Sequence, residues 1–156
     1  MKRTILLVIL AIFSLEPMAQ VNIYNPNANA KEDIQKAISD AKESNKNVLI
    51  QIGGNWCPWC VRLHKLFESN DTIKSIINDN YVWILVNYSK ENKNLDIMKA
   101  LSNPQRFGFP VLVILDYNGT RIHTQDTGLL ESGKGYDNKK IIGFLKNWTV
   151  KVINEN

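Results

Sequence analysis

Cysteine and histidine are scarce in this chain. Its 156 residues hold two cysteines, Cys57 and Cys60, and two histidines, His64 and His123. Small exported domains held together by disulfides carry many cysteines, so that class is excluded. No second CxxC is present, which counts against a zinc site of four ligands and leaves only a Cys2His-type set of Cys57, Cys60 and His64 open. A long apolar run is also missing. The stretch from Ile5 to Leu15 is about half the ~20 residues that a bilayer-spanning helix needs. Charge is not concentrated either: the formal net charge of +4 is spread along the chain, so no nucleic-acid partner is expected. No internal repeat and no second domain are visible.

What is there fits one folded domain. Apolar residues make up 44% and charged residues 22% of the chain, which is ordinary for a globular protein and rules out disorder of the whole. Lys2 and Arg3 stand before the apolar run, and Ala19 closes the following Glu16-Pro17-Met18 stretch. That order reads as a secretory signal over residues 1–19, cut after Ala19, giving a periplasmic or secreted protein. An uncleaved anchor is the alternative, because Pro17 stands three positions before the cut. No cysteine lies near the cut, so a lipid anchor there is excluded. Residues 20–30, rich in Asn, read as an extended leader, and 31–156 as the domain.

Apolar spacing predicts the elements. Ile34, Ala37, Ile38 and Ala41 mark a helix that Asn29 and Glu32 open. Residues 48–52 form a buried strand running into Gly53 and Gly54. Pro58 suits the first turn of a helix whose inner side is Leu63, Leu66 and Phe67. A short helix follows from Asp71, with Ile73, Ile76 and Ile77 inward, then a strand over 81–88 and a helix near 94–102 ended by Pro104. A strand over 109–116 turns at Asn118-Gly119 into a hairpin partner. After a Gly-rich loop, a last helix presents Ile141, Leu145, Trp148 and Val152 on one side. Trp83 and Trp148 read as core, and His123 as a surface residue. The order α-β-α-α-β-α-β-β-α implies an α/β fold: a central mixed sheet flanked by helices on both faces.

The chemistry is concentrated in "NWCPWC", where the first strand meets a helix. A thiol reacts as its thiolate, and a helix N-terminus favours negative charge. Cys57 is therefore the expected nucleophile. Cys60, one turn further on, is the resolving thiol that attacks a mixed disulfide formed on Cys57. Two cysteines so close together enclose almost no loop and would stabilise the chain little as a staple. Trp56 offers an apolar platform beside them.

"WCPWC" after a buried strand, "GFP" some fifty residues later and a hairpin behind it resemble the thioredoxin superfamily, in particular its exported bacterial members. The likeness spans about residues 30–152. It implies a thioredoxin fold, with Pro110 after a cis peptide bond facing the cysteines and the Phe109 backbone pairing with substrate. Trp56, Pro58, Trp59, Phe109 and Pro110 are then the expected substrate-binding residues. Two departures stand out. Where thioredoxin has a buried Asp that moves the resolving thiol's proton, this chain has Gln51, which does not titrate. Its neighbouring lysine is replaced by Leu85. His64 and Glu68 are the candidate substitutes for the relay. Between the cysteines, Pro-Trp lacks the histidine of strong oxidases, which leans the pair toward reduction.

The resulting expectation is a monomeric thiol-disulfide oxidoreductase of the cell envelope acting on protein disulfides. It needs no bound cofactor and no metal, and a membrane partner of DsbD type resets it. The rivals are a binding module on the same scaffold with idle cysteines, and a metal-handling protein using Cys57, Cys60 and His64.

Overall fold

Two inner strands, apolar on both faces, fix the layering of the molecule. The structure, a computed structural model, describes residues 22–154. The expected signal segment, 1–19, lies outside the described residues. Helix α1 (Ala30–Ser44) leads to β1 (Asn47–Gly53), α2 (Pro58–Ser69), α3 (Asp71–Asn80) and β2 (Tyr81–Asn87). Then come α4 (Leu95–Ala100), a 3-10 turn (Pro104–Phe107), β3 (Val111–Leu115) and β4 (Arg121–Asp126). A second 3-10 turn (Thr127–Leu130), the small hairpin β5 (Glu131–Ser132) and β6 (Gly135–Tyr136), α5 (Asn138–Asn147) and α6 (Val150–Asn154) complete the described chain. Four strands form one sheet in the order β2-β1-β3-β4, with β1 parallel to β2 and antiparallel to β3.

Strand side chains alternate between faces. Val48, Ile50 and Ile52 of β1 join Val111, Val113 and Leu115 of β3 against Ala37 and Ala41 of α1 and Met98 of α4. On the opposite face Leu49, Leu112 and Ile114 meet Leu63 and Phe67 of α2, Ile73 and Ile77 of α3, and Ile141 and Leu145 of α5. All of β1 and β3 is buried, as expected of strands covered on both sides. Gln51 shares the face of Leu49, so β1 delivers one polar side chain beneath α2.

Side-chain caps set helix ends, that of Asn29 as the sequence implied. Asn29 accepts from the Glu32 N–H at the start of α1. Asn70 ends α2 and opens α3, its Oδ1 accepting from the Ile73 N–H at 3.1 Å.

Several expectations are corrected. The last helix breaks at Trp148. Thr149 Oγ1 accepts from the Val152 N–H, so a new helix starts there and turns Val152 outward, 37% exposed. Trp83 and Trp148 pack against the core as expected but at its edge, each half-buried. His123 is not a bare surface residue: its ring stacks on Trp148, centroids 4.2 Å apart. The Gly-rich loop contains the β5-β6 hairpin.

The two layers predict unequal sensitivities. Leu112→Ala, which empties space under α2, α3 and α5, should lower the unfolding free energy by about 2–5 kcal/mol. Asn70→Ala, which removes a cap, should lower it by about 1 kcal/mol. Urea unfolding of both variants checks the order, and equal losses would contradict it.

Candidate active site

The C-terminal end of β1 runs through Gly53 and Gly54 into the tip of α2. Pro58 occupies the first helical turn, where no N–H is needed. Cys57 is the N-cap residue, and its sulfur accepts the Cys60 N–H at 3.2 Å. Negative charge on that sulfur is favoured by the N–H groups and dipole of the helix end. Cys57 and Cys60 are joined by a disulfide, with Cα atoms 5.3 Å apart. Both are buried. Cys57 keeps a 4% exposure and Cys60 has none, so an incoming group meets Cys57 first.

The Phe109-Pro110 peptide bond is cis. Pro110 is buried and its carbonyl accepts from the Thr127 hydroxyl. Phe109 packs on the cluster formed by Tyr24, Cys57 and Cys60. It also meets Trp56 edge-on at 5.6 Å and Tyr88 at 4.7 Å between centroids. Trp56 is 55% exposed, and its indole N–H donates to the Tyr88 carbonyl at 2.8 Å. Gly54 allows this pose, since a Cβ there would lie 2.3 Å from Trp56 Nε1. Trp59 meets Tyr136 of β6 edge-on, with the Arg62 guanidinium 4.6 Å above its ring. The structure thus gathers Trp56, Phe109 and the cysteines into one surface, with Pro58 and Trp59 on the α2 side of it. Beside Trp56 a cleft of ≈ 920 Å³ opens between residues 22–26 and the loop after β2.

The relay candidates lie elsewhere. Glu68 is exposed and pairs with Lys74 at 3.0 Å. His64 packs its ring against Trp83 at 5.0 Å, and its Nδ1 is buried without a hydrogen-bond partner. Neither hydrogen-bonds a cysteine among the described residues. Gln51 does reach the pair. It is fully buried opposite Leu85 of β2, and its Nε2 donates to the Cys60 carbonyl at 3.1 Å and to the Tyr24 hydroxyl at 2.8 Å. Among the described residues no group of three or more metal-binding side chains is gathered, so Cys57, Cys60 and His64 do not form a ligand set.

Tyr24 is the residue that sequence reasoning missed. The expected extended leader is docked against the site, because Asn55 Oδ1 accepts both the Ile23 and Tyr24 N–H groups at 2.9 Å. Asn55 Nδ2 donates to the Tyr24 carbonyl at 2.8 Å, and Asn92 Nδ2 to the Pro26 carbonyl at 3.0 Å. Tyr24 itself is 3% exposed. The available signal was a lone aromatic flanked by Ile23 in a polar segment, with Asn55 just before Cys57.

A mixed four-stranded sheet between helix layers, a cysteine pair at a strand-to-helix junction and a cis-proline loop packed beside it define a thioredoxin fold with a disulfide centre. The chain belongs to the thioredoxin-like family, whose family model matches residues 29–116. Among solved structures it is similar to a disulphide isomerase from Xylella fastidiosa Temecula1, at 24% identity and a TM-score of 0.73, over 83% of this chain and 98% of that one. A curated relative, the uncharacterized protein B0495.5 of Caenorhabditis elegans, is 28% identical over 116 residues, 70% of this chain. The chain spans 15% of that relative's length.

Burial of His64 lowers its pKa, an effect that Glu68 partly opposes. The unfolded chain then binds more protons than the folded one near the ordinary value of about 6.5. Stability from this residue should be fully present above that pH and be lost as pH falls below it through the lower folded value. His64→Gln should flatten the dependence, as measured by urea unfolding from pH 5 to 8. An NMR titration midpoint at or above the ordinary value would contradict the burial effect.

Proposed function

We propose that this protein is a thiol-disulfide oxidoreductase that reduces disulfides of proteins in the cell envelope. One observation carries the reading: Cys57 and Cys60 form a disulfide at the tip of α2 with Phe109 packed on it. In the reduced state the Cys57 thiolate attacks a substrate disulfide. A mixed disulfide forms and one substrate thiolate leaves. Cys60 then attacks Cys57 Sγ, re-forming the internal bond and releasing the second substrate thiolate. Two electrons and two protons pass from the pair to the substrate.

Cys57 leads because it alone keeps exposed surface and because its charge falls on a helix N-terminus. Trp56, Pro58, Trp59, Phe109 and Pro110 bound the groove for the substrate chain, and the Phe109 backbone is its pairing edge. The lean toward reduction rests on Trp59, which supplies no charge to a thiolate where a strong oxidase has histidine. The start of the sequence supports a cleaved signal and a periplasmic or secreted location. There a membrane partner of DsbD type returns the monomeric protein to its dithiol form.

Insulin reduction with dithiothreitol should be accelerated by the purified protein, and Cys57→Ser should abolish the effect. A folded wild type without activity would retire this reading in favour of a docking scaffold. Equilibration with glutathione should give a potential closer to about −270 mV, as in thioredoxin, than to about −120 mV, as in DsbA. The opposite result would reverse the direction of electron flow.

A further inference from the structure

The Tyr24 hydroxyl has no part in the scheme above, yet it borders the same small space as the resolving sulfur. Its ring belongs to the cluster of Cys57 and Cys60, and Asn55 holds its backbone on both sides. A Cβ on Gly53 would fall 2.5 Å from Cys60 Sγ and 2.9 Å from Tyr24 Oη. The sulfur and the hydroxyl therefore border the same point. Tyr24 Oη accepts from Gln51 Nε2, which leaves its own proton to be given. Gln51 is held in turn by the Cys60 carbonyl, so the donor is fixed to the residue it would serve.

We infer that Tyr24 is the hydrogen-bond donor that stabilises the Cys60 thiolate while this sulfur attacks the mixed disulfide on Cys57. The inference rests on the proposed exchange reaction. Cys60 loses its proton, its sulfur bonds to Cys57 Sγ, and the bond from Cys57 to the substrate breaks. The departing substrate sulfur takes the electron pair and then a proton, which balances the one Cys60 released. The phenol keeps its own proton throughout. Burial raises its pKa well above the ordinary tyrosine value, the Gln51 hydrogen bond partly opposes this, and Tyr136 adds to it.

Tyr24, from residues 22–26, and Cys57, at the tip of α2, share the cluster of Cys60. Tyr136 of β6 acts on Tyr24, and Glu131 of β5 and Arg62 of α2 act in opposite senses on Tyr136. Gln51 from β1, Leu85 from β2 and Phe109 before β3 carry no charge. In a water-poor site of this kind a charge-assisted hydrogen bond is about twice as strong as a neutral one.

The test isolates Cys60 in Cys57→Ser and titrates its thiolate by ultraviolet absorbance, with and without Tyr24→Phe. Phenylalanine keeps the ring and removes only the hydroxyl. The Cys60 pKa should rise by about one unit, a roughly tenfold loss of thiolate at a given pH below it. With both cysteines present, Tyr24→Phe should resolve a mixed disulfide about threefold more slowly at neutral pH, because the lost thiolate is partly offset by its higher nucleophilicity, and should not lag the wild type at high pH. An unchanged pKa, or slowing by one factor at every pH, overturns the inference. If Tyr24→Phe does not fold, the Tyr24 ring resonance in Cys57→Ser supplies the same test: it should shift as Cys60 ionises, and a static signal overturns the assignment. Neither titration depends on turnover. An inert wild type with a shifted Cys60 pKa therefore retires the activity alone, and turnover with an unshifted pKa retires the role of Tyr24 alone.

Discussion

The site depends on one constraint: β1 is paired on both sides and covered on both faces, so its side chains have no freedom of register. A slip of one residue would exchange Val48, Ile50 and Ile52 for Leu49 and Gln51. With the register fixed, Gln51 points under α2, fully buried on the face that Leu49 shares. An unpaired amide in such a place is expensive. Its Nε2 is satisfied by the Cys60 carbonyl and the Tyr24 hydroxyl, while its Oε1 has no partner among the described residues. Sheet register, helix tip and the segment before α1 are thus coupled through one side chain.

Much of this was legible because the signals are local. The apolar run of β1, the glycines behind it, Cys57 with Pro58 at a helix start, and Asn29 as a cap each occupy a few consecutive residues. Pro110 was legible through the resemblance that "WCPWC" and "GFP" carry. What was not legible is long-range. Nothing near Tyr24 announces a partner 27 positions away, and its segment is irregular, so no periodicity marks which side faces inward. The break at Trp148 was missed for another reason. The apolar spacing continues across it, while Thr149 carries the weaker signal of a cap. His64 and Glu68 satisfied the spacing for a relay, but packing on Trp83 and pairing with Lys74 decided where their polar atoms went.

The two aromatic groups at the surface are held differently. Trp56 is fixed by a hydrogen bond to the Tyr88 carbonyl, and the loop carrying Tyr88 is itself laced by Asn87, Asn92 and Asn94. A large apolar face is thereby kept exposed without being free to collapse. Trp59 is held by Tyr136 and Arg62, from a hairpin and from the next turn of α2. The platform beside Cys57 is rigid on one side through backbone contacts and on the other through ring contacts.

Asn55 lies two positions before Cys57 and grips the backbone of residues 23 and 24. The two ends of the described chain are therefore unequal places to attach anything. Helix α6 borders Asn45 and Asn80, which precede β1 and β2 at the far end of the strands from the disulfide. A protein or surface joined there leaves the redox centre alone. A load joined just ahead of Tyr24 bears on Asn55 and Gln51, and so on the loop before Cys57 and the Cys60 carbonyl.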